Sequence, residues 1–167
     1  YVDLAEKNPN ECIDINVLGS QNIARVSIEK NVKILVGIST DKAAYPLGNT
    51  YSLTKSLMER LFCKYNQYST TKFVCVRFGN IAWSTGSVFC IWYQMMKKNN
   101  IILSTGPEMR RFFFSVDEAS DLVIKSIEEI NRLKGKVFSK KMKSAKISNI
   151  LDIWTSIYNC SWKKIDQ

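Results

Sequence analysis

Apolar positions along the chain switch between two periods, and the switching predicts the elements. From Pro9 to Lys30, Ile13, Val17, Ile23, Ala24, Val26 and Ile28 follow a helical spacing, opened by Asn8-Pro9 at a cap and first turn and ended by Asn31. Val32 to Ser39 is a nearly continuous β-branched run, the pattern of a parallel strand buried on both faces. Thr40 to Thr50 holds Pro46, Gly48 and Asn49 and reads as a loop. A second amphipathic helix is predicted from Tyr51 to Gln67, with Leu53, Leu57, Leu61 and Phe62 inward, and a second buried strand from Lys72 to Phe78. Past Gly79 the pattern loosens. It predicts helices over Gly86–Lys98, Ser115–Arg132 and Ile147–Ile157, and short strands at Ile101–Ser104 and Val137–Phe138. Ser115 with Glu118 three residues on has the spacing of a capping box. Helix alternating with strand argues for βαβ units on a parallel sheet, with no internal repeat and no linker-like segment.

Composition narrows the chemistry. The 167 residues suit one domain, 46% of them are hydrophobic, and only seven glycines and three prolines occur, which excludes a low-complexity chain. The apolar runs are strand-sized, far short of the roughly 20 residues a bilayer crossing needs. The chain opens at Tyr1 without Met, a basic start or an apolar run, so a fragment without a signal peptide is expected. Histidine is absent, which removes Ser-His-Asp and Cys-His nucleophiles and His-ligated metals. Five scattered cysteines with no C-x-x-C pair point to reduced thiols in a cytoplasmic protein rather than disulfides or a metal site. The net charge of +9 fits either nucleic acid or a smaller polyanion such as a nucleotide diphosphate. The lysines of the tail lack interleaved aromatics for base stacking, so they read as solvated surface and no nucleic-acid partner is expected.

Tyr51 and Lys55 form Y-x-x-x-K at the start of a helix, a spacing that places both on one helical face. An ammonium beside a phenol favours phenolate and so makes the tyrosine a usable acid or base. Tyr and Lys four apart also recur by chance. The placement singles this pair out, because it follows Ser39-Thr40-Asp41-Lys42-Ala43 at the carboxyl end of a parallel strand, where open α/β sheets bind ligands.

The run Ser39 to Ala44, Pro46, and Tyr51-Ser52-Leu53-Thr54-Lys55 resembles the extended short-chain dehydrogenase/reductase superfamily. More narrowly, it is similar to the nucleotide-sugar 4,6-dehydratases of the polysaccharide-biosynthesis type, especially the inverting UDP-N-acetylglucosamine enzymes. Asn16-Val17-Leu18-Gly19-Ser20, Arg77-Phe78-Gly79-Asn80-Ile81, Ser84-Thr85-Gly86-Ser87-Val88, Met109-Arg110-Arg111-Phe112-Phe113 and Lys141-Met142-Lys143-Ser144 agree in the same order. The resemblance implies part of a Rossmann-like, doubly wound parallel sheet, with residues 1–80 completing a dinucleotide-binding domain. Residues 81–167 would be a mixed sheet-completing and substrate-binding region. The family's glycine-rich turn and its final segment would lie outside this chain, and the loop from Asp41 to Tyr51 is one residue longer than the family pattern. NADP and NAD both remain open as cofactor.

The resemblance also implies roles. Tyr51 would take the C4 hydroxyl proton of a UDP-sugar as hydride leaves C4 for the nicotinamide. Lys55 would hold the nicotinamide ribose, and Thr40 would hydrogen-bond near the C4 oxygen. Lys42 would abstract the acidified C5 proton while Asp41 protonates the departing C6 hydroxyl. Ser39 and Phe78 would join Tyr51 and Lys55 against the cofactor. Asn80, Ser87, Val88, Arg110 and Arg111 would face the nucleotide diphosphate, for which the planar guanidinium fork is suited. No metal is implied, and a cytoplasmic homo-oligomer is. Asp41 could instead simply cap a turn, one of the two arginines could be a surface ion-pair partner, and Trp83, Trp92 and Tyr93 read as packing residues. A nucleotide-sugar 4-epimerase or reductase, which needs only the Tyr-Lys pair, and an inactive fragment are the alternative readings.

Overall fold

The computed structural model describes residues 2–46 and 48–166; Tyr1, Leu47 and Gln167 lie outside the described residues. In chain order the elements are α1 (Val2–Lys7), α2 (Pro9–Ile13), a π-helical turn (Asp14–Gly19), α3 (Ser20–Glu29), β1 (Ile34–Thr40), a 3₁₀ turn (Asp41–Ala44), α4 (Thr50–Tyr65) and β2 (Lys72–Phe78). There follow β3 (Asn80–Ile81), α5 (Val88–Asn99), β4 (Ile101–Ser104), β5 (Arg110–Phe114), α6 (Val116–Glu128), α7 (Ile130–Leu133), β6 (Val137–Phe138), β7 (Ser144–Lys146), α8 (Ile147–Tyr158) and β8 (Ser161–Lys164). These fall into two compact units, residues 1–78 with 117–140 and residues 79–116 with 141–167.

The first unit is built on a parallel sheet in the order β1-β2-β6, with Ile34 opposite Lys72, Thr40 opposite Phe78 and Cys75 opposite Val137. Ala24, Met58, Phe62, Phe73 and Cys75 form the core on one face, while Val74, Ile130 and Leu133 pack with Val36 and Phe138 in a second cluster. Helices on both faces make β2 the buried strand its sequence predicts. β1 differs, because it lies at the edge of the described sheet and leaves Ile38 49% exposed.

Two helices depart from their patterns. The 9–30 segment is interrupted by the π turn, and Ile13, Ile23 and Val26 are exposed while Cys12, Val17, Ala24 and Ser27 are buried. On α4, Phe62 is buried and Leu61 half-buried, but Leu53 and Leu57 are 52% and 45% exposed. The side chains that α4 buries are Ser52, Thr54, Ser56, Met58, Glu59 and Phe62. Small polar residues let the helix approach its neighbours closely, so the leucine spacing marks the outer face rather than the inner one. The helix predicted from Ser115 to Arg132 likewise breaks at Glu129 into α6 and α7.

In the second unit β3 pairs parallel with β5, β5 antiparallel with β7, and β4 parallel with β8. Its core is aromatic, with Trp92, Ile102, Ile147, Leu151 and Trp154 buried and Phe89, Phe113 and Trp162 packed around them. Helices α5 and α8 both end on an asparagine in the left-handed region, Asn100 at φ 53° and Asn159 at φ 49°. No helix among the described residues is long and apolar enough to cross a membrane.

Candidate active site

The carboxyl end of β1 delivers Ser39 and Thr40 into the 3₁₀ turn. Thr40 has extended backbone, and its Oγ1 accepts from the Lys42 amide (3.4 Å) while donating to Asp41 Oδ1 (3.0 Å). Lys42 Nζ donates to the same carboxylate oxygen at 3.4 Å. Asp41 therefore carries a hydroxyl and an ammonium on one oxygen. Helix α4 starts opposite, capped by Asn49, whose Oδ1 accepts from the Ser52 amide and hydroxyl, both at 2.8 Å. That cap sets Tyr51 in the first helical turn and Lys55 one turn later. Lys55 Nζ donates to the Ile38 carbonyl of β1 at 3.0 Å.

The environment of Tyr51 and Lys55 is partly buried, and burial is the main influence on both. It pushes the Tyr51 phenol above its ordinary range, the Asp41 charge and Cys12 push it further, and a hydrogen bond with the Thr40 side chain pulls it back. Burial lowers Lys55, against the pull of Cys12, Cys75 and Glu59. The expected depression of Tyr51 by Lys55 is thus replaced by a rise, set first by burial and then by the Asp41 charge, while the Lys55 ammonium goes to the Ile38 carbonyl. Removing the negative charge with Asp41→Asn should let phenolate form at lower pH. An ultraviolet titration of Asp41→Asn, referenced to Tyr51→Phe backgrounds of both proteins, should show the Tyr51 transition moved toward acid. A transition that stays put would mean that burial alone sets it.

Behind the pair, the π turn is tied to α4. Asn16 Nδ2 donates to Thr54 Oγ1 (3.1 Å) and Cys12 Sγ (3.3 Å), and Thr54 Oγ1 bonds back to the Thr50 carbonyl (2.9 Å). π turns widen the backbone spacing and recur at functional sites. Cys12 does not stand out by pattern, and the resembling run from Asn16 to Ser20 gives Asn16 no role, because helical periodicity carries no mark of a π turn.

Ser39 is buried, with its hydroxyl donating to Glu59 Oε1 at 2.5 Å. Glu59 Oε1 also accepts from Arg77 Nε (2.8 Å) and Oε2 from Arg77 Nη2 (2.6 Å). Phe78, buried at the end of β2, lies opposite Thr40 in register. Ser39, Thr40, Asp41, Lys42, Tyr51, Lys55 and Phe78 all belong to the first unit.

The five residues expected against the nucleotide belong to the second unit. Asn80 Nδ2 donates to the Phe112 carbonyl at 3.0 Å. The preceding Gly79 is required there, since a Cβ would come within 2.9 Å of the Phe112 backbone. Ser87 is the N-cap residue of α5, with its hydroxyl 3.5 Å from Cys90 Sγ, and Val88 is the first helical residue. Arg110 reaches across the β5–β7 pair to Ser144, through Nε to Oγ and Nη2 to the carbonyl, both at 3.1 Å. The Arg111 side chain makes local contacts, Nη1 to the Arg110 carbonyl (3.1 Å) and Nη2 to Met109 Sδ (3.0 Å). Trp83 sits at φ 62°, half-exposed, against the rings of Trp154, Phe89 and Tyr93, so it does pack. Among the described residues no group of three or more His, Cys, Asp or Glu side chains is placed to hold a metal.

A parallel sheet with helices on both faces, and a Tyr51–Lys55 pair at the carboxyl end of its strand, define a Rossmann-type protein of the short-chain dehydrogenase/reductase superfamily. Within that class the chain belongs to the polysaccharide biosynthesis protein family, whose model matches residues 1–166. It is 34% identical over 154 residues to the UDP-N-acetylglucosamine 4,6-dehydratase (inverting) of Campylobacter jejuni, across 90% of this chain and 45% of that protein. To a UDP-glucose 4-epimerase of Rickettsia bellii it is 33% identical over 161 residues, across 95% of this chain and 46% of that one. The solved structure of Pen from Bacillus thuringiensis superposes with a TM-score of 0.89 at 28% identity, over 100% of this chain and 52% of that one. The chain thus spans about half the length of the relatives it matches.

Proposed function

We propose that the chain is the catalytic part of a nucleotide-sugar 4,6-dehydratase acting on a UDP-N-acetylglucosamine-type substrate in surface polysaccharide or glycan synthesis. The observation that carries this reading is the Thr40-Asp41-Lys42 hydrogen-bonded group in the turn facing the start of α4, where Tyr51 and Lys55 stand. The donors here fit the nicotinamide-ribose end of NAD or NADP: the Lys55 ammonium for the ribose hydroxyls, with Tyr51 beside it and Ser39 and Phe78 at the strand ends. When bound, that cofactor supplies the hydride acceptor for C4 and the donor for C6.

The chain's own residues handle the protons. Tyr51 takes the C4 hydroxyl proton, with Thr40 hydrogen-bonded to the phenol. Passage of a proton from Lys42 to Asp41 along their 3.4 Å contact leaves a neutral amine and a carboxylic acid. The amine removes the C5 proton, which the 4-keto group acidifies, and the acid protonates the C6 hydroxyl so that it leaves as water. The pair returns to ammonium and carboxylate; as C6 is then reduced, Lys42 gives a proton to C5 and regains one from Tyr51, which thereby loses the proton it took from the C4 hydroxyl, so the proton count closes. Asn80, Ser87, Val88, Arg110 and Arg111 bind the UDP portion. The exposed Leu53 and Leu57 on α4 support assembly as a homo-oligomer, and the free cysteines support a cytoplasmic setting.

The test is incubation of the full-length gene product with UDP-N-acetylglucosamine and each nicotinamide cofactor in turn. The expected product has lost one water and carries a C4 ketone. Recovery of the C4 epimer at unchanged mass would favour the epimerase reading, which draws on relatives of equal similarity.

A further inference from the structure

Among the described residues Glu59 is the one charged side chain that is buried, at 3% exposure. A carboxylate in that position is costly unless every oxygen finds a donor. It lies four residues after Lys55, so the two share a helical face and Lys55 is a natural partner for it. The ammonium nevertheless goes to the Ile38 carbonyl, and Glu59 is filled instead by Ser39 and by both Nε and Nη2 of Arg77. The same Nη2 donates to the carbonyl of Ala43 at 3.2 Å. Ala43 is the buried residue of the 3₁₀ turn, directly after Asp41 and Lys42. One guanidinium thereby joins β2, α4 and the turn, while the carboxylate it holds also fixes the end of β1.

We propose that Arg77, held by Glu59, is a positioning residue that fixes the turn bearing Asp41 and Lys42 and, by filling Glu59, leaves the Lys55 ammonium on the Ile38 carbonyl at the end of β1. The catalytic half of this inference rests on the dehydratase reading above; the structural half does not. Arg77 touches none of the reacting groups and acts through the Ala43 carbonyl and through occupancy of Glu59. A lysine at this place retains the charge but lacks the planar fork that serves Glu59 through two nitrogens and Ala43 through one of them.

The experiment compares Arg77→Lys and Glu59→Gln with the unaltered full-length gene product by two readouts. Hydrogen exchange of amides 41–45 should quicken about tenfold in Arg77→Lys, the factor that corresponds to losing one hydrogen bond to a charged group. Amides within 52–65 of α4 should keep their rates. In catalysis, C5 deuterium exchange and water loss should fall on the order of 10²-fold, the scale of an ångström-level misplacement. Transient cofactor reduction by the C4 hydride, for which Tyr51 is the base, should change far less. A merely structural role would slow both steps together or loosen α4 as well, and either result overturns the proposal. So does unchanged exchange over 41–45. Should Arg77→Lys fail to fold, Glu59→Gln carries the same test, since it weakens the grip on Arg77 without removing the guanidinium. If the unaltered protein releases no dehydrated product, the dehydratase reading falls, and the exchange rates still decide whether Arg77 fixes the turn.

Discussion

Replacing Lys42 by Met in the full-length gene product should leave oxidation at C4 running while elimination stops. Met keeps the length of the stem and removes the amine assigned to the C5 proton. Tyr51→Phe keeps the ring and removes the group that takes the C4 hydroxyl proton, so nothing downstream can begin. General acid and base groups are typically worth about 10² to 10⁴ in rate, so both losses should be plain. With UDP-N-acetylglucosamine in deuterated water, Lys42→Met should give transient reduced cofactor with little deuterium at C5 and little 4-keto-6-deoxy product. Tyr51→Phe should give neither signal. The geometry supports this separation, because Tyr51 is set by α4 and its Asn49 cap, whereas Lys42 is set by the turn and its bond to Asp41. Unimpaired water loss by the Lys42 variant would refute the base assignment and put the epimerase reading ahead.

Long-range order was legible where one period dominates. β2 and β4 and the short strand Val137–Phe138 lie where their apolar runs place them, and the parallel pairing of β1 with β2 follows from two β-rich runs joined by a helix. The exposed side of a helix was not legible. Leu53 and Leu57 look like an inward stripe, yet α4 packs through serines, Thr54 and Glu59, whose burial depends on partners contributed by other elements. Strands β3, β5, β7 and β8 escaped for a related reason: each is five residues or fewer and none is buried along its length, so no period can develop. At the candidate site the sequence marks Thr40, Asp41, Lys42, Tyr51 and Lys55 through their order around a strand end. It does not mark Glu59, and it marks Arg77 only as the start of the Arg77-Phe78-Gly79-Asn80-Ile81 run, with no role. Eighteen residues separate them, and only folding of β2 beside β1 turns an ordinary pair of charges into a buried one.

Trp92→Ala should cost the second unit about 3–5 kcal/mol, the range for truncating a large buried aromatic side chain. Trp92 is 2% exposed and packs with Ile102, Ile147, Leu151 and Trp154, meeting the Trp154 ring edge-on at 5.9 Å and the Phe89 ring at 5.7 Å. Two of the rings against it, Trp154 and Phe89, are themselves held by Trp83, Phe113 and Tyr158. All four tryptophans, at 83, 92, 154 and 162, belong to this unit, so tryptophan fluorescence in a denaturant titration reads its unfolding without the first unit. The midpoint should fall far below that of the parent protein, while Trp92→Phe, which retains a ring, should lose distinctly less. Because α5 carries Ser87 at its cap, Val88 in its first turn and Trp92 one turn on, loosening the tryptophan also releases the helix start assigned to the nucleotide. Uridine diphosphate binding by the full-length gene product should weaken in step with the lost stability across the Phe and Ala variants. A midpoint for Trp92→Ala within about 1 kcal/mol of the parent would place the weight of this core on Trp154 and Leu151 instead, since a well-filled site cannot lose an indole so cheaply.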